Sequence, residues 1–249
     1  LCAAVLLDLC FLGSVCRLAV GMQWEDLAKV EQADQTVFSP ESLFGGELAL
    51  TFDDGPWPET TEQLLDGLAE RGAKATFFLI GEQIAGHEDT VRRMADEGHQ
   101  VGSHTFTHMD LSRGDPAERL REIAATDETL RALLGDGVYW LRPPWGFLAP
   151  QTAAAVEVPM VYWSLDTEDW RRLDADAVAQ DIIDHARDGD IILLHDPYTT
   201  SVEAALRAID ALTPQGYRFV TLEELFRQKG VEPEPGKLYI RPDELKRIA

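Results

Sequence analysis

The feature that most constrains this chain is an apolar run that ends abruptly in two adjacent carboxylates. Residues 48–52 read Leu-Ala-Leu-Thr-Phe, and Asp53, Asp54, Gly55 and Pro56 follow directly. Strand-forming residues carry the backbone outward, and the Gly-Pro pair then stops the strand and turns the chain. Two like charges at a strand end are costly unless a cation or a basic partner offsets them. The segment alone is equally consistent with a solvent-exposed Asp-Gly turn.

The length and the charge of the chain limit its fold and its partners. With 249 residues it can bury a large core and is compatible with one larger α/β domain. Its formal net charge of −22 disfavours nucleic acid and anionic lipid as partners, because the mean field of the protein repels polyanions. The same charge is compatible with a neutral or cationic substrate, such as an amino-sugar polymer.

The first twenty residues differ from the rest of the chain. They are apolar apart from Asp8, Ser14 and Arg17, and they contain all three cysteines of the sequence. The remaining residues therefore have neither a disulfide framework nor a thiolate metal site. Three interpretations of this segment stay open: a truncated signal or membrane anchor, an amphipathic helix, or translated sequence upstream of a start at Met22. We treat residues 1–46 as this segment and a polar lead-in, with one helix predicted over 24–32.

Beyond residue 46, short apolar runs alternate with helical patterns. Strands are predicted over 48–52, 75–80, 99–102, 138–141, 158–163, 191–194 and 218–220. Helices are predicted over 60–70, 115–134, 175–186, 202–212 and 222–228, and Asp115 and Pro116 supply a clear N-terminal signal for the second of these. Such alternation indicates an α/β fold with a mainly parallel sheet. Seven strands without a Gly-rich nucleotide loop favour closure into a barrel, and residues 229–249 are predicted to form a polar C-terminal tail.

Polar residues follow most of these strands directly. In parallel α/β folds, active sites gather at the carboxyl ends of the strands, so we expect these side chains to converge on one face. They are Asp53 and Asp54, His104 and His108, Arg142, Asp166 and Asp169, and His195. A His pair four residues apart is by itself more often a surface or capping feature. With a carboxylate from the Asp53–Asp54 pair it forms a facial set that leaves coordination positions open for water and substrate.

The motifs around these residues resemble the polysaccharide deacetylases of the NodB-homology type, carbohydrate esterase family four. The resemblance covers residues 47–228. The five motifs, in chain order, are Thr-Phe-Asp-Asp-Gly-Pro at 51–56, Ser-His-Thr-Phe-Thr-His at 103–108, Arg-Pro-Pro-Trp-Gly at 142–146, Asp-Thr-Glu-Asp-Trp at 166–170 and Leu-Leu-His at 193–195. The resemblance implies a distorted, incomplete (β/α) barrel of about seven parallel strands, which agrees with the alternation of elements.

The resemblance also implies a role for each motif residue. Asp54, His104 and His108 would hold a divalent metal, most plausibly Zn²⁺, although Co²⁺, Mn²⁺ and Ni²⁺ also suit such a set. Asp53 would be the general base, and Arg142 would help to keep it ionised. The remaining assignments are as follows: the backbone N–H of Trp145 stabilises the oxyanion, His195 protonates the departing amine, Asp169 orients His195, and Trp170 with Leu193 shapes a pocket for the acetyl methyl group.

One residue departs from the family pattern. Trp145 stands where the third motif usually carries tyrosine. The mechanism that the resemblance implies uses a backbone N–H at this position and survives the change. The groove wall, however, gains area and loses a hydroxyl, which alters what the family pattern says about substrate preference.

The sequence predicts a hydrolase that removes N-acetyl groups from N-acetylglucosamine units of a polysaccharide such as peptidoglycan or chitin. An O-acetyl esterase acting on xylan or another acetylated polysaccharide is the alternative within the same chemistry. A catalytically silent carbohydrate-binding homologue is the alternative of a different class, although it predicts the loss of a site residue. We expect a monomer in the cell envelope or outside the cell. A true start at Met22 would place it in the cytoplasm, and membrane contact depends on an anchor in the first twenty residues.

Overall fold

The computed structural model describes residues 45–248. The apolar segment, the lead-in and the helix predicted over 24–32 lie outside these residues, apart from positions 45 and 46 at the end of the lead-in. Among the helices of residues 45–248, none has both the length and the apolar character needed to cross a bilayer.

A six-stranded sheet forms the centre of the fold, and β1 lies in its middle. The strands of this sheet are β1 (Gly46–Gly55), β2 (Ala75–Leu79), β3 (Gln100–Ser103), β5 (Leu165–Asp166), β6 (Ile191–His195) and β7 (Tyr217–Phe219). The order is β3-β2-β1-β6-β5, and β7 also pairs with the beginning of β1. Every pairing within this sheet is parallel, as the strand–helix alternation predicts.

Helices connect the strands and cover the outside of the sheet. They are α1 (Pro58–Arg71), α2 (Gly81–Ile84), α3 (Glu88–Asp96), α4 (Pro116–Leu134), α5 (Pro150–Ala153), α6 (Asp169–Arg172), α7 (Ala175–His185), α8 (Thr199–Leu212) and α9 (Leu222–Gln228). Two short 3₁₀ turns, Pro144–Gly146 and Thr213–Gln215, complete the list. The predicted start of α4 is confirmed, because Oδ1 of Asp115 accepts a hydrogen bond of 3.0 Å from the backbone N–H of Ala117.

Side-chain alternation along β1 separates the helix-covered core from the barrel interior. Leu48, Leu50 and Phe52 pack in the larger core with the inner faces of the helices, and each is fully buried. Thr51 and Asp53 point to the opposite face, since successive side chains of a strand alternate. In register, Thr51 lies beside Leu193 and Asp53 beside His195. The interior face thus becomes polar where the strands end.

The strand predicted over 138–141 is not formed. Only Leu141 of this segment makes bridges, one to Ser103 and one to Met160. Pro143 and Pro144 follow Arg142 and lack the N–H groups that would extend a ladder, so the pairing does not continue beyond this point. Leu141 nonetheless fills the gap between β3 and the next strand, which makes this side of the barrel continuous but irregular.

The strand predicted over 158–163 is shorter and is followed by a second short strand. β4 (Met160–Val161) faces Leu141, and β5 joins the chain to β6. Residues 160–166 therefore pair with Leu141 through β4 and with β6 through β5. This arrangement produces the distorted, incomplete (β/α) barrel that the family resemblance implies.

The predicted C-terminal tail contains two strands. β8 (Leu238–Arg241) pairs in parallel with β4, and β9 (Glu244–Leu245) pairs antiparallel with β8. Leu238 and Tyr239 are buried, because this short apolar run covers the irregular side of the barrel. The segment after α9 therefore belongs to the same compact unit as the barrel.

Candidate metal centre and its surroundings

An irregularity at the end of β1 turns two consecutive carboxylates toward one place. The pairing register between β1 and β2 shifts between Asp53 and Gly55, and Asp54 has a φ of 72° in the left-handed region. Consecutive residues of a regular strand would face opposite sides of the sheet. Here Oδ2 of Asp53 and Oδ1 of Asp54 lie 3.7 and 3.5 Å from Nε2 of His104.

Asp54, His104 and His108 form a compact set of potential metal ligands. Their donor atoms all lie within 4.8 Å of one another, and Nε2 of His108 is 3.3 Å from Oδ1 of Asp54. His104 follows β3 directly and is buried. His108 has a φ of 60°, so the loop after β3 brings its ring back beside that of His104, with the ring centroids 5.0 Å apart.

The protonation states and contacts of these residues suit a divalent cation. Nδ1 of His104 donates to the carbonyl oxygen of Arg142 at 2.8 Å, which leaves the lone pair of Nε2 directed at the carboxylates. Burial lowers the pKa of His104 and of His108, so both imidazoles are neutral ligands at neutral pH. Oδ1 of Asp54 is buried and accepts no hydrogen bond from the described residues, and burial raises the pKa of this carboxyl. A cation bound by all three side chains would satisfy that oxygen.

Arg142 supplies a buried positive charge next to Asp53. Its guanidinium is fully buried and donates to Oδ1 of Asp53 at 2.8 Å and to Oγ1 of Thr51 at 2.7 Å. A further bond of 2.8 Å reaches the carbonyl oxygen of Tyr162. These partners orient the guanidinium, and the guanidinium in turn fixes the Asp53 carboxylate at the end of β1.

His195 and Asp169 form a second pair on the other side of β1. Nδ1 of His195 donates to Oδ1 of Asp169 at 2.8 Å, and its backbone N–H donates to Oδ2 at 2.7 Å. Ser201 donates to the same Oδ2 at 2.5 Å. Burial alone would lower the pKa of His195, but the hydrogen bond to Asp169 and the nearby carboxylate charges raise it to about 9.

The aromatic ring of Trp145 borders the candidate metal centre. The ring of Trp145 lies edge-on to His108, with centroids 4.2 Å apart, and is 54% exposed. Trp145 has a φ of 53° and lies in the 3₁₀ turn Pro144–Gly146. Asp169 and Trp170 are the first two residues of the short helix α6, and Trp170 is half exposed. Leu193 is buried on β6 beside Thr51.

The structure brings most of the predicted residues together and adds three. Asp166 is not part of the group, because its side chain is exposed and accepts a bond from the backbone N–H of Glu168. Thr51, Ser201 and the carbonyl group of Tyr162 were not predicted, although they hold Arg142 and Asp169 in place. Ser201 lies thirty-two positions from Asp169, and only the docking of α8 brings them together.

The fold and the site first define a class: an incomplete (β/α) barrel with a candidate metal centre of one carboxylate and two imidazoles at the carboxyl ends of its strands. The family model "Polysaccharide deacetylase" matches residues 45–162. The chain belongs to the polysaccharide deacetylase family.

Two curated relatives and one solved structure illustrate the range of similar proteins. A peptidoglycan-N-acetylglucosamine deacetylase of Bacillus cereus is 38% identical over 211 residues, which cover 82% of this chain and 76% of the relative. The peptidoglycan-N-acetylglucosamine deacetylase PgdA of Listeria monocytogenes is 36% identical over 190 residues, 76% of this chain but only 41% of the relative. A family 4 acetyl xylan esterase from Clostridium thermocellum, solved with a cobalt ion, superposes with a TM-score of 0.75 at 33% identity, covering 80% of this chain and 100% of that one.

Proposed function

We propose that this protein is a metal-dependent N-deacetylase that acts on N-acetylglucosamine units of a polysaccharide such as peptidoglycan or chitin. The observation that carries the proposal is the set of Asp54, His104 and His108 with a second carboxylate, Asp53, in direct contact with it. The peptidoglycan deacetylases of Bacillus cereus and Listeria monocytogenes support the substrate class.

Asp54, His104 and His108 would hold the metal, and Zn²⁺ suits a set of two imidazoles and one carboxylate. The bound ion supplies Lewis-acid chemistry, which polarises the acetyl carbonyl and lowers the pKa of water. Co²⁺, Mn²⁺ and Ni²⁺ accept the same ligands, and the acetyl xylan esterase of Clostridium thermocellum was solved with cobalt.

The other residues of the site have distinct roles in the proposed reaction. The oxygen of the attacking water bonds to the carbonyl carbon while Asp53 accepts a proton from that water. Arg142 stabilises the Asp53 carboxylate before the proton is transferred. The backbone N–H of Trp145 stabilises the oxyanion that forms. The carbon–nitrogen bond then breaks as His195 gives its proton to the sugar nitrogen, which yields acetate and a free amine. The side chains of Trp170 and Leu193 line the space for the acetyl methyl group.

The role of His195 predicts how activity depends on pH. A general acid must be protonated, and the pKa of His195 is raised to about 9, so the turnover number should fall as pH rises through about 9. The hydrogen bond and charge of Asp169 are the main factors that raise this pKa. In Asp169→Asn the alkaline limb of the profile of kcat against pH should therefore move to lower pH. An alkaline limb at the same pH in this variant would contradict its assignment to the loss of the His195 proton.

An O-acetyl esterase is the second candidate function, and the structural similarity to an acetyl xylan esterase supports it. The two reactions differ in how much they need the general acid. An amine must be protonated as it leaves, whereas an alkoxide of a sugar hydroxyl is a better leaving group. Loss of the His195 imidazole should therefore reduce amide hydrolysis more than ester hydrolysis.

The experiment that tests the proposal is acetate release from a panel of substrates by zinc-loaded protein. The panel contains N-acetylglucosamine oligomers, peptidoglycan glycan strands and acetylated xylo-oligosaccharides. Faster release from the amino sugars is expected, and faster release from xylan fragments would support the esterase. Release from no member would contradict both and favour a silent carbohydrate-binding homologue. A peptidoglycan substrate would place the protein in the cell envelope, and the barrel of residues 45–248 would act there as a monomer.

A further inference from the structure

Trp57 is an exposed aromatic side chain that adjoins the candidate metal centre. It precedes α1 and follows the turn that carries Asp54, and 47% of its surface is exposed. Its indole Nε1–H donates to the carbonyl oxygen of Asp54 at 2.9 Å. The ring is therefore attached to the backbone of a candidate metal ligand, although none of the roles described above uses it.

A buried hydrogen-bond chain fixes Trp57 from below. Its backbone N–H donates to Oγ1 of Thr61 at 2.9 Å, and that hydroxyl donates to Oδ2 of Asp196 at 2.6 Å. Thr61 and Asp196 are fully buried, and the backbone N–H of Asp196 donates to the carbonyl oxygen of Asp53 at 3.3 Å. The position of Trp57 is thus tied to the end of β1 and to the residue after His195, so the ring needs little ordering when a ligand binds.

Trp57 and Trp145 each contact a residue of the candidate metal centre. Trp145 packs on His108, and Trp57 is bonded to Asp54, while the two candidate ligands lie 3.3 Å apart. Both half-exposed indole rings thus contact a candidate ligand residue, Trp145 at the side chain of His108 and Trp57 at the backbone of Asp54. A ring that is apolar on its face and held by its N–H can bury area against the C–H face of a sugar without losing a hydrogen bond. The net charge of −22 favours an uncharged or cationic chain as the occupant over an anionic one.

We propose that Trp57 is a stacking surface for a sugar unit next to the one whose acetyl group is removed, so that the site binds a chain rather than a single sugar. The inference rests on the proposed function, because it places the acetylated unit at Asp54, His104 and His108. Trp57, which lies outside the five motifs, would then contribute to a preference for longer substrates.

The test measures binding without turnover. Zinc-loaded protein with Asp53→Asn is titrated by calorimetry with N-acetylglucosamine and its oligomers of increasing length, and with acetylated xylo-oligosaccharides. Adding Trp57→Ala should weaken binding of the longer oligomers about tenfold or more and leave the single sugar unchanged. Trp57→Phe keeps a ring but loses the bond to Asp54, and it should retain most of the affinity. Leu245→Ala is the control, because Leu245 is equally exposed (50%) on β9.

The outcomes separate this inference from the proposed function. Equal affinities with and without Trp57 would overturn the stacking role, whatever the activity of the wild-type protein. A Trp57→Phe variant as weak as Trp57→Ala would also overturn it, since the residue would then act through Asp54, and the zinc content of each variant would show that effect. Failure of all oligomers to bind would overturn it together with the polysaccharide substrate. Length-dependent binding that needs Trp57 supports it even if no acetate is released.

Discussion

Replacement of Asp54 by alanine is expected to abolish stoichiometric zinc binding and to reduce acetate release about 10³-fold or more. A Lewis acid contributes several kcal/mol to the stability of the transition state, and about 1.4 kcal/mol corresponds to a factor of ten. Zinc content measured after dialysis, together with acetate release, checks both parts of this prediction. The remaining imidazoles of His104 and His108 form only two ligands of the set.

The stability of the metal-free protein distinguishes this effect from misfolding. Oδ1 of Asp54 is buried without a hydrogen-bond partner among the described residues, and burial raises the pKa of the carboxyl. Its removal should therefore change the free energy of unfolding of the stripped protein by only about 1 kcal/mol or less, because relief of the buried oxygen offsets the strain of alanine at a φ of 72°. Asp166→Ala is the matched control, because Asp166 is exposed at the end of β5, and this variant should keep its zinc and its activity. Full turnover by Asp54→Ala would contradict the assignment of the metal ligand.

The second large effect is expected from Arg142→Met. This change leaves the Asp53 carboxylate buried without its cation, and the loss of one partner of a buried pair costs about 3–5 kcal/mol. The bonds to Thr51 and to the carbonyl oxygen of Tyr162 are lost as well. Urea denaturation of metal-free protein measures the effect without interference from bound zinc.

Two further variants isolate the cause of that loss. In Asp53→Asn/Arg142→Met both charges of the buried pair are removed, so part of the stability should return. Arg71→Met breaks the exposed ion pair with Asp210, whose distance of 2.8 Å equals that of the buried pair, and it should cost only about 0–1 kcal/mol. Similar losses for Arg71→Met and Arg142→Met would contradict the importance of burial at Asp53.

The sequence predicts the residues of the site better than their geometry. Asp53 and His195 lie at the ends of β1 and β6, and His104 and Arg142 directly follow β3 and the bridging residue Leu141. The rule that strand ends converge brings them to one face. The same rule also predicts Asp54 on that face, but the sequence does not show how it gets there, because alternation along a regular strand would turn it away. The register shift in the pairing with β2 and the positive φ of Asp54 reverse that direction.

The errors in the fold have a similar origin. The run at 138–141 has the composition of a strand, but only Leu141 finds partners, Ser103 on one side and Met160 on the other. The run at 238–241 lies in a polar segment, and it becomes β8 only because β4 offers an edge. Ser201 has no local signal for its bond to Asp169, because the contact arises from the docking of α8. Long-range pairing decided each of these cases, and local pattern does not contain it.

The most direct test of the account is a zinc titration of the stripped protein with acetate release from an N-acetylglucosamine oligomer as the readout. The account predicts no release without metal, a linear rise as zinc is added and a plateau at one zinc per chain. Release that is unaffected by stripping, or a plateau at a different ratio, would contradict a single metal centre formed by Asp54, His104 and His108.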